Sequence, residues 1–292
     1  MRVAQIASFG APEVFHIVDR PQPRYEQNEV LVRMQAASVN PVDTYTRRGT
    51  FSSVLRSRFP LVLGRDGAGT VVGVGKAVTR FRVGDDVFFM NHMPLNGNAL
   101  GTYAEYAVVP EDQLAHKPAN ISHQQAAGIP VVGLTSWRSL IEIGKLQANQ
   151  QVLIHGGSGG VGSFAIQLAK CFGATVTATC SAGSMDLVWS LGADAVIDYS
   201  RDRFENTVHN CDLVFDTVGV RVQYSLQTLR RGGKLVAIVV PASLEAPTIG
   251  TFLSIPFRIA WLKLCALVQG KSYVNVTVRP SGEILSQIAE FV

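Results

Sequence analysis

The chemistry written most sharply into this chain lies in one glycine-rich stretch, His155-Gly-Gly-Ser-Gly-Gly-Val-Gly162. Read as G-x-G-x-x-G, its glycines are Gly157, Gly159 and Gly162, with Ser158, Gly160 and Val161 among them. An apolar run, Gln151 to His155, precedes it, and a helix-forming segment, Val161 to Phe172, follows. In that setting glycines permit a tight turn and close approach of the backbone to a pyrophosphate. The helix N-terminus adds unpaired N–H groups and a positive partial charge. The motif therefore points to dinucleotide binding; the plainer reading is an ordinary strand-to-helix turn.

The end of the following strand bears on the choice between NADH and NADPH. An NAD site carries an acid there, about 20 residues past the loop, to bind the ribose 2′-hydroxyl. Here the residues are Thr179, Cys180 and Ser181, with no acid before Asp186. A carboxylate about 4 Å from a 2′-phosphate would cost on the order of 4 kcal/mol at an effective dielectric of 20. Its absence favours NADPH. Ser181 and Ser184 can donate to a phosphate and Arg201 can add charge, against the alternatives of helix capping and a solvated arginine.

The elements that must hold this turn are legible around it. From about Ser122 strands and helices alternate: Gln151–His155, a helix, Ala174–Thr179, a helix over Ser184–Leu191, then Ala195–Asp198, Asp212–Asp216, a helix near Val222–Leu229, and Lys234–Val240. Apolar strands separated by helices imply a parallel sheet covered on both faces. Before about Pro118 the texture is β-rich, with short β-branched and aromatic runs punctuated by Gly, Pro, Asn and Asp. Gly73 and Gly75 suggest bends of the kind found in barrel-like folds.

Composition excludes several classes. At 292 residues the chain has room for about two domains. Apolar residues at 47% against 16% charged rule out a disordered chain. The net charge of +4 comes without a basic cluster, so no nucleic-acid partner is expected. Cys171, Cys180, Cys211 and Cys265 share no CxxC spacing, which argues for a reducing compartment, cytoplasmic in our reading, and against a disulfide framework. The apolar stretch Thr251–Gly270 carries Pro256, Arg258 and Lys263 and reads as a core helix rather than a membrane span.

Several segments in order resemble the medium-chain dehydrogenase/reductase superfamily, specifically its zinc-free, zeta-crystallin-like quinone oxidoreductase branch. Ala37–Gly49 is similar to the N-P-x-D segment, Pro60–Gly69 to the G-x-D-x-x-G loop, Phe81–Val87 to F-x-x-G-D-x-V, and Gly101–Tyr106 to G-x-Y-A-E-Y. Gly133–Trp137 and Leu191–Tyr199 resemble later signatures. The resemblance implies an α/β protein: a GroES-like, barrel-type catalytic domain over 1–121, a Rossmann NADP-binding domain over 122–270, and a segment 271–292 that starts the return to the first domain and stops early. The cofactor is expected in the cleft between the domains, and a homodimer is expected.

What the resemblance implies chemically is hydride transfer from NADPH to quinones or α,β-unsaturated carbonyls without zinc. Zinc-dependent relatives have a Cys within the segment matching Ser38–Asp43 and a His where Arg65 stands; here no Cys precedes Cys171, and a guanidinium cannot ligate zinc. Asn40, Asp43 and Tyr45 would line the site at the nicotinamide, Asn40 or Tyr45 bonding the acceptor oxygen as charge builds there, and Tyr45 relaying a proton. The alternatives are core packing for Tyr45 and an ion pair from Asp43 to Arg47, Arg48 or Arg65, with Arg65 and Asp66 paired as well. Cofactor contacts implied are Asn40, Thr135, Gly157, Ser158, Gly159, Gly160, Val161, Gly162, Ser181, Ser184, Tyr199 and Val218. Many NADPH-using members carry a lysine where Ser184 stands. An enoyl-thioester reductase, with a larger pocket around Pro241–Trp261, and a non-catalytic NADPH-binding protein are the competing functions.

Overall fold

The computed structural model describes residues 1–50, 58–92, 100–219, 221–238 and 249–292, which divide into two compact units. The first comprises Met1–Leu134 with Arg279–Val292, the second Thr135–Val278.

The first unit is built on antiparallel strands: β1 (Arg2–Ile6), β2 (Phe15–Asp19), β3 (Glu29–Ala37), β4 (Leu61–Val62), β5 (Asp66–Val74), β6 (Asp86–Met90), β7 (Tyr106–Pro110) and β8 (Leu114–His116). They form a five-stranded sheet in the order β7-β3-β5-β6-β8 and a three-stranded sheet in the order β2-β1-β4. Bridges Val3–Ala104 and Val62–Leu100 fasten residues near β7 to the smaller sheet, giving a barrel-like GroES-type arrangement. Alternation of apolar residues on β3, β5, β6 and β7 buries Val30, Val32, Val71, Val87, Phe89 and Val109 in one core. Register shifts interrupt the β3–β5 ladder, where Gly69 lies so close to β3 that a Cβ would sit 2.2 Å from the Arg33 carbonyl oxygen. Helix α1 (Pro41–Arg48) starts with Pro at its first turn and ends at Gly49, whose φ of 78° is left-handed. Helix α2 is His123–Ala127, and α3 is Pro130–Trp137.

The second unit is a six-stranded parallel sheet. Its strands are β9 (Gln151–His155), β10 (Thr175–Cys180), β11 (Ala195–Asp198), β12 (Cys211–Asp216), β13 (Leu229–Ala237) and β14 (Ser272–Asn275), in the order β11-β10-β9-β12-β13-β14. Helices α4 (Gly160–Cys171), α5 (Met185–Ser190), α6 (Val222–Thr228) and α7 (Ile249–Val268) connect them. The order reverses beside β9: the chain steps outward to β10 and β11, then returns to place β12 on the other side. Ligands of doubly wound sheets bind at the carboxyl ends of strands at such a switch point. The last helix, α8 (Gly282–Ala289), belongs to the first unit, where it packs against β8.

Two expectations shift. The boundary falls between Leu134 and Thr135 rather than after residue 121, because α2 packs on β3, β5 and β6 of the first unit. The parallel sheet runs on through β14, so the second unit ends at Val278 rather than residue 270. The stretch read as a core helix is helical, and among its described side chains Leu262 and Ala266 join the core with Ile259 and Cys265 packed against it, while Phe257, Trp261, Leu264, Leu267 and Val268 are exposed. Residues 239–240 of the strand Lys234–Val240, and 241–248 of the anticipated larger pocket, lie outside the described residues.

Candidate active site

The glycine turn joins β9 to α4 at the carboxyl edge of the sheet. Gly156 takes a φ of 72°, a left-handed conformation that favours glycine. Its N–H donates to Thr179 Oγ1 at 3.3 Å, and the Gly157 N–H donates to the Thr179 carbonyl at 2.8 Å, pinning the turn to β10. Gly159 N–H donates back to the Gly156 carbonyl at 3.0 Å. Gly162 is fixed by contact: a Cβ there would lie 2.1 Å from the Gly156 oxygen and 3.0 Å from Gly157 Cα. A Cβ on Gly157 would meet Ala178 Cβ at 3.0 Å and Ile166 Cδ1 at 3.1 Å. The first turn of α4 is thus pressed against the loop.

Gly159 caps α4, and the Ser163 N–H bonds to the Gly159 carbonyl at 2.8 Å. The N–H groups of Gly160, Val161 and Gly162 therefore precede the first intrahelical bond and head the helix as donors. Ser158 is half-buried, and Gly159 and Gly160 are exposed, so the turn is open to a ligand. Ser136 Oγ donates to the Val161 carbonyl at 3.2 Å, and its neighbour Thr135 is buried.

The other expected cofactor residues stand at neighbouring strand ends. Ser181 follows β10, its hydroxyl 3.3 Å from that of Ser184. Tyr199 follows β11 and Val218 follows β12; both are exposed. The structure thus brings Gly157–Gly162, Ser181, Ser184, Tyr199 and Val218 to one edge of one sheet. The carboxylate opposite Cys180 in the sheet, Asp198, is buried and accepts from the Ser200 N–H (3.0 Å) and Oγ (2.8 Å), which hold its pKa down.

Beneath the turn runs a polar layer that the sequence did not disclose. His155 is buried between Thr179 Oγ1 (3.1 Å from Nδ1) and Ser225 Oγ (3.0 Å from Nε2), and burial lowers its pKa to about 4, so it is neutral. Its carbonyl accepts from Thr217 Oγ1 at 2.7 Å. Asp216 Oδ1 accepts from the Val218 and Gly219 N–H groups at 3.0 and 2.8 Å, while burial pushes its pKa up. These side chains support the loops that carry the edge.

Asn40, Asp43 and Tyr45 belong to the first unit, on and just before α1. Asn40 is the N-cap, and its N–H donates to Asp43 Oδ2 at 2.9 Å, one arm of a capping box. Tyr103 Oη donates to the same oxygen at 3.2 Å. Burial raises the Asp43 pKa against those bonds and the pull of Arg65. The expected ion pairs are corrected here. Arg47 directs its Nε to the Gly10 carbonyl at 3.2 Å, and Arg65 directs its Nε to the Asn91 carbonyl at 3.3 Å. Among the described residues no ion-pair contact joins Asp43 to an arginine or Arg65 to Asp66. Consecutive residues entering a strand point to opposite faces, so Arg65 attracts Asp66 through space only.

Asp66 is the buried hub of this group. Its Oδ2 accepts from Ser38 Oγ (2.9 Å) and Asn40 Nδ2 (2.8 Å), and its Oδ1 accepts from the Val131 N–H (2.9 Å). Desolvation outweighs those bonds and lifts its pKa to about 7. Asn40 Nδ2 also lies 3.3 Å from Ser38 Oγ, so both amide hydrogens have protein partners and Asn40 is not a donor to an acceptor oxygen. Tyr45 is half-buried; two residues from Asp43 on a helix, it faces elsewhere.

Comparison with known proteins agrees with this geometry. Residues 26–119 match the alcohol dehydrogenase GroES-like domain, and residues 160–263 the zinc-binding dehydrogenase domain. The mouse mitochondrial NAD(P)H oxidoreductase RTN4IP1 is 36% identical, over 91% of this chain and 72% of its own length. The chain belongs to the quinone oxidoreductases of the medium-chain dehydrogenase/reductase superfamily. A chloroplastic NADPH-dependent alkenal/one oxidoreductase of Arabidopsis thaliana is 40% identical over 74% of this chain and 56% of its own. The Escherichia coli quinone oxidoreductase solved with NADPH superposes with a TM-score of 0.79 at 27% identity, covering 99% of this chain and 86% of that one. This family member is accordingly an NAD(P)H-dependent oxidoreductase. The glycine turn fits such a cofactor, since the N–H groups of Gly160, Val161 and Gly162 head α4 and Gly159 and Gly160 are exposed.

Proposed function

We propose that this oxidoreductase takes NADPH in preference to NADH and reduces quinones or α,β-unsaturated carbonyls without a zinc centre. The observation that carries the reading is the edge at β10, where the paired hydroxyls of Ser181 and Ser184 stand at the place of the ribose acid, while the nearest sheet carboxylate, Asp198, is buried and takes the Ser200 N–H and hydroxyl on one of its oxygens. NADPH supplies the hydride when bound. The chain's own groups bind and orient: the Gly160, Val161 and Gly162 amides take the pyrophosphate, and Ser181 and Ser184 donate to the 2′-phosphate. Tyr45 donates to the acceptor oxygen as negative charge builds there, and Asn40 acts through its side-chain oxygen as an acceptor for an N–H.

Two features support chemistry without zinc, whatever the name of the matching domain. Among the described residues no three His, Cys, Asp or Glu side chains meet in a group that could hold a metal. Both oxygens of Asp66 are engaged by neutral donors, and the adjoining Arg65 guanidinium cannot ligate. No step of the reading passes through a metal.

Fluorescence titration with each nucleotide, followed by nucleotide oxidation against a panel of quinones and enones, tests the reading. At least tenfold tighter NADPH binding and turnover on the panel are expected. Absence of binding by the folded protein overturns it; binding without turnover leaves a non-catalytic NADPH-binding protein. A second reading, reduction of enoyl thioesters, is favoured by a cavity of about 670 Å³ in the second unit, lined in part by Val222, Tyr224, Phe257, Trp261 and Leu262. Turnover on acyl thioesters in place of quinones would select it.

A further inference from the structure

Asn40 heads α1, and its position is over-determined. Its backbone N–H is bound by Asp43, which Tyr103 holds in turn, and its side-chain amide is bound by Asp66. Asp66 is itself completely buried and anchored from elsewhere in the unit, by the Ser38 hydroxyl at the end of β3 and the Val131 N–H of α3. Rotating the Asn40 amide about its last torsion would bring its oxygen onto the Asp66 carboxylate, two acceptors face to face. One rotamer is therefore enforced, and with it the direction in which the Asn40 oxygen points.

We propose that Asp66 is a positioning residue, which fixes the amide plane of Asn40 and through it the geometry of the reacting groups. This rests on the reading of Asn40 as an acceptor at the nicotinamide end. Asp66 itself touches neither substrate nor cofactor. The titratable groups facing it are Asp43 on α1, Arg65 beside it in sequence and Tyr103 ahead of β7. Arg65 favours the charged Asp66, while burial opposes it. Protonation of Asp66 replaces a carboxylate acceptor with a weaker one, so the grip on Asn40 loosens as pH falls through about 7.

Two measurements test the proposal. In amide spectra of ¹⁵N-labelled protein, the Asn40 side-chain NH₂ pair, assigned by its loss in Asn40→Ala, should shift with pH with a midpoint near 7, and in Asp66→Asn it should move at all pH and cease to titrate. An Asn40 pair that ignores both pH and the substitution overturns the positioning role, whatever the activity. In kinetics, Asp66→Asn should lower kcat ten- to a hundredfold with less than threefold change in KM, yet add less than twofold in an Asn40→Ala background. Losses that multiply in the double variant also overturn the proposal. If Asn40→Ala leaves kcat unchanged while the spectra behave as expected, the reading of Asn40 fails and the hold of Asp66 upon it stands.

Discussion

Gly162→Ala is the most direct test of the turn. The added Cβ would lie 2.1 Å from the Gly156 oxygen, 2.8 Å from the Gly156 carbonyl carbon and 3.0 Å from Gly157 Cα. A relaxed carbon–oxygen contact needs more than 3 Å, so the helix head and the loop must part by about an ångström. All three atoms are backbone, and the loop is tied to β10 by the Gly157–Thr179 bond, so no side chain can yield instead. Overpacking of this kind costs about 1–3 kcal/mol, offset by about 0.5–1 kcal/mol from alanine's helix preference. The donors at the head of α4 move with it, and losing about 1.4 kcal/mol of their attraction for phosphate weakens NADPH tenfold. Gly183→Ala is the matched control: no atom lies within 4 Å of its Cβ, so its stability should stay within about 0.5 kcal/mol. Urea unfolding and fluorescence titration measure the two quantities. A Gly162→Ala protein that equals Gly183→Ala in stability and the unsubstituted protein in NADPH affinity would refute the argument from close contact.

Further outcomes follow from the same geometry. His155 is neutral in the fold with a pKa of about 4 against 6.5 unfolded, so its contribution to stability is complete above pH 6.5 and is lost as pH falls toward 4, by roughly 3 kcal/mol at most; urea midpoints across that window, compared with His155→Gln, check the sign. Asp216→Asn keeps the oxygen that receives Val218 and Gly219 while removing a buried charge, and should raise the thermal midpoint at pH 8. Tyr103→Phe deletes the donor to Asp43 and should cost about 1 kcal/mol in urea unfolding. Ser184→Lys brings a cation to the β10 edge and should sharpen the preference for NADPH over NADH severalfold in titration, an effect that fades with added salt.

The glycine turn was legible because its spacing records contacts between backbone atoms, which no distant residue can supply. Gly157, Gly159 and Gly162 lie in the turn that their spacing implies, but the left-handed residue is Gly156, since a run of adjacent glycines does not say which one bends. The alternation of apolar strands with helices likewise exposed the parallel sheet, since its central strands β9 and β12 are buried on both faces. The Asp66 hub was invisible, because it joins Ser38, Asn40 and Val131 through folding alone. Charge counting suggested Asp43–arginine and Arg65–Asp66 pairs; burial favoured a phenol, amides and carbonyls instead. The division of the units was missed for a related reason. Helix α2 has helical spacing like those after it, and only its packing on β3, β5 and β6 assigns it to the first unit.

Because α8 belongs with the opening strands, the first unit is assembled from the two extremities of the described chain while the second is one unbroken stretch. Gly282 abuts the Leu114 carbonyl so closely that a Cβ would stand 2.1 Å from it, and Asn120 grips the Val292 carbonyl at 2.9 Å. On a ribosome the strands β1 to β8 therefore emerge long before α8, the helix that packs on β8, and the whole nucleotide-binding stretch is made in the interval.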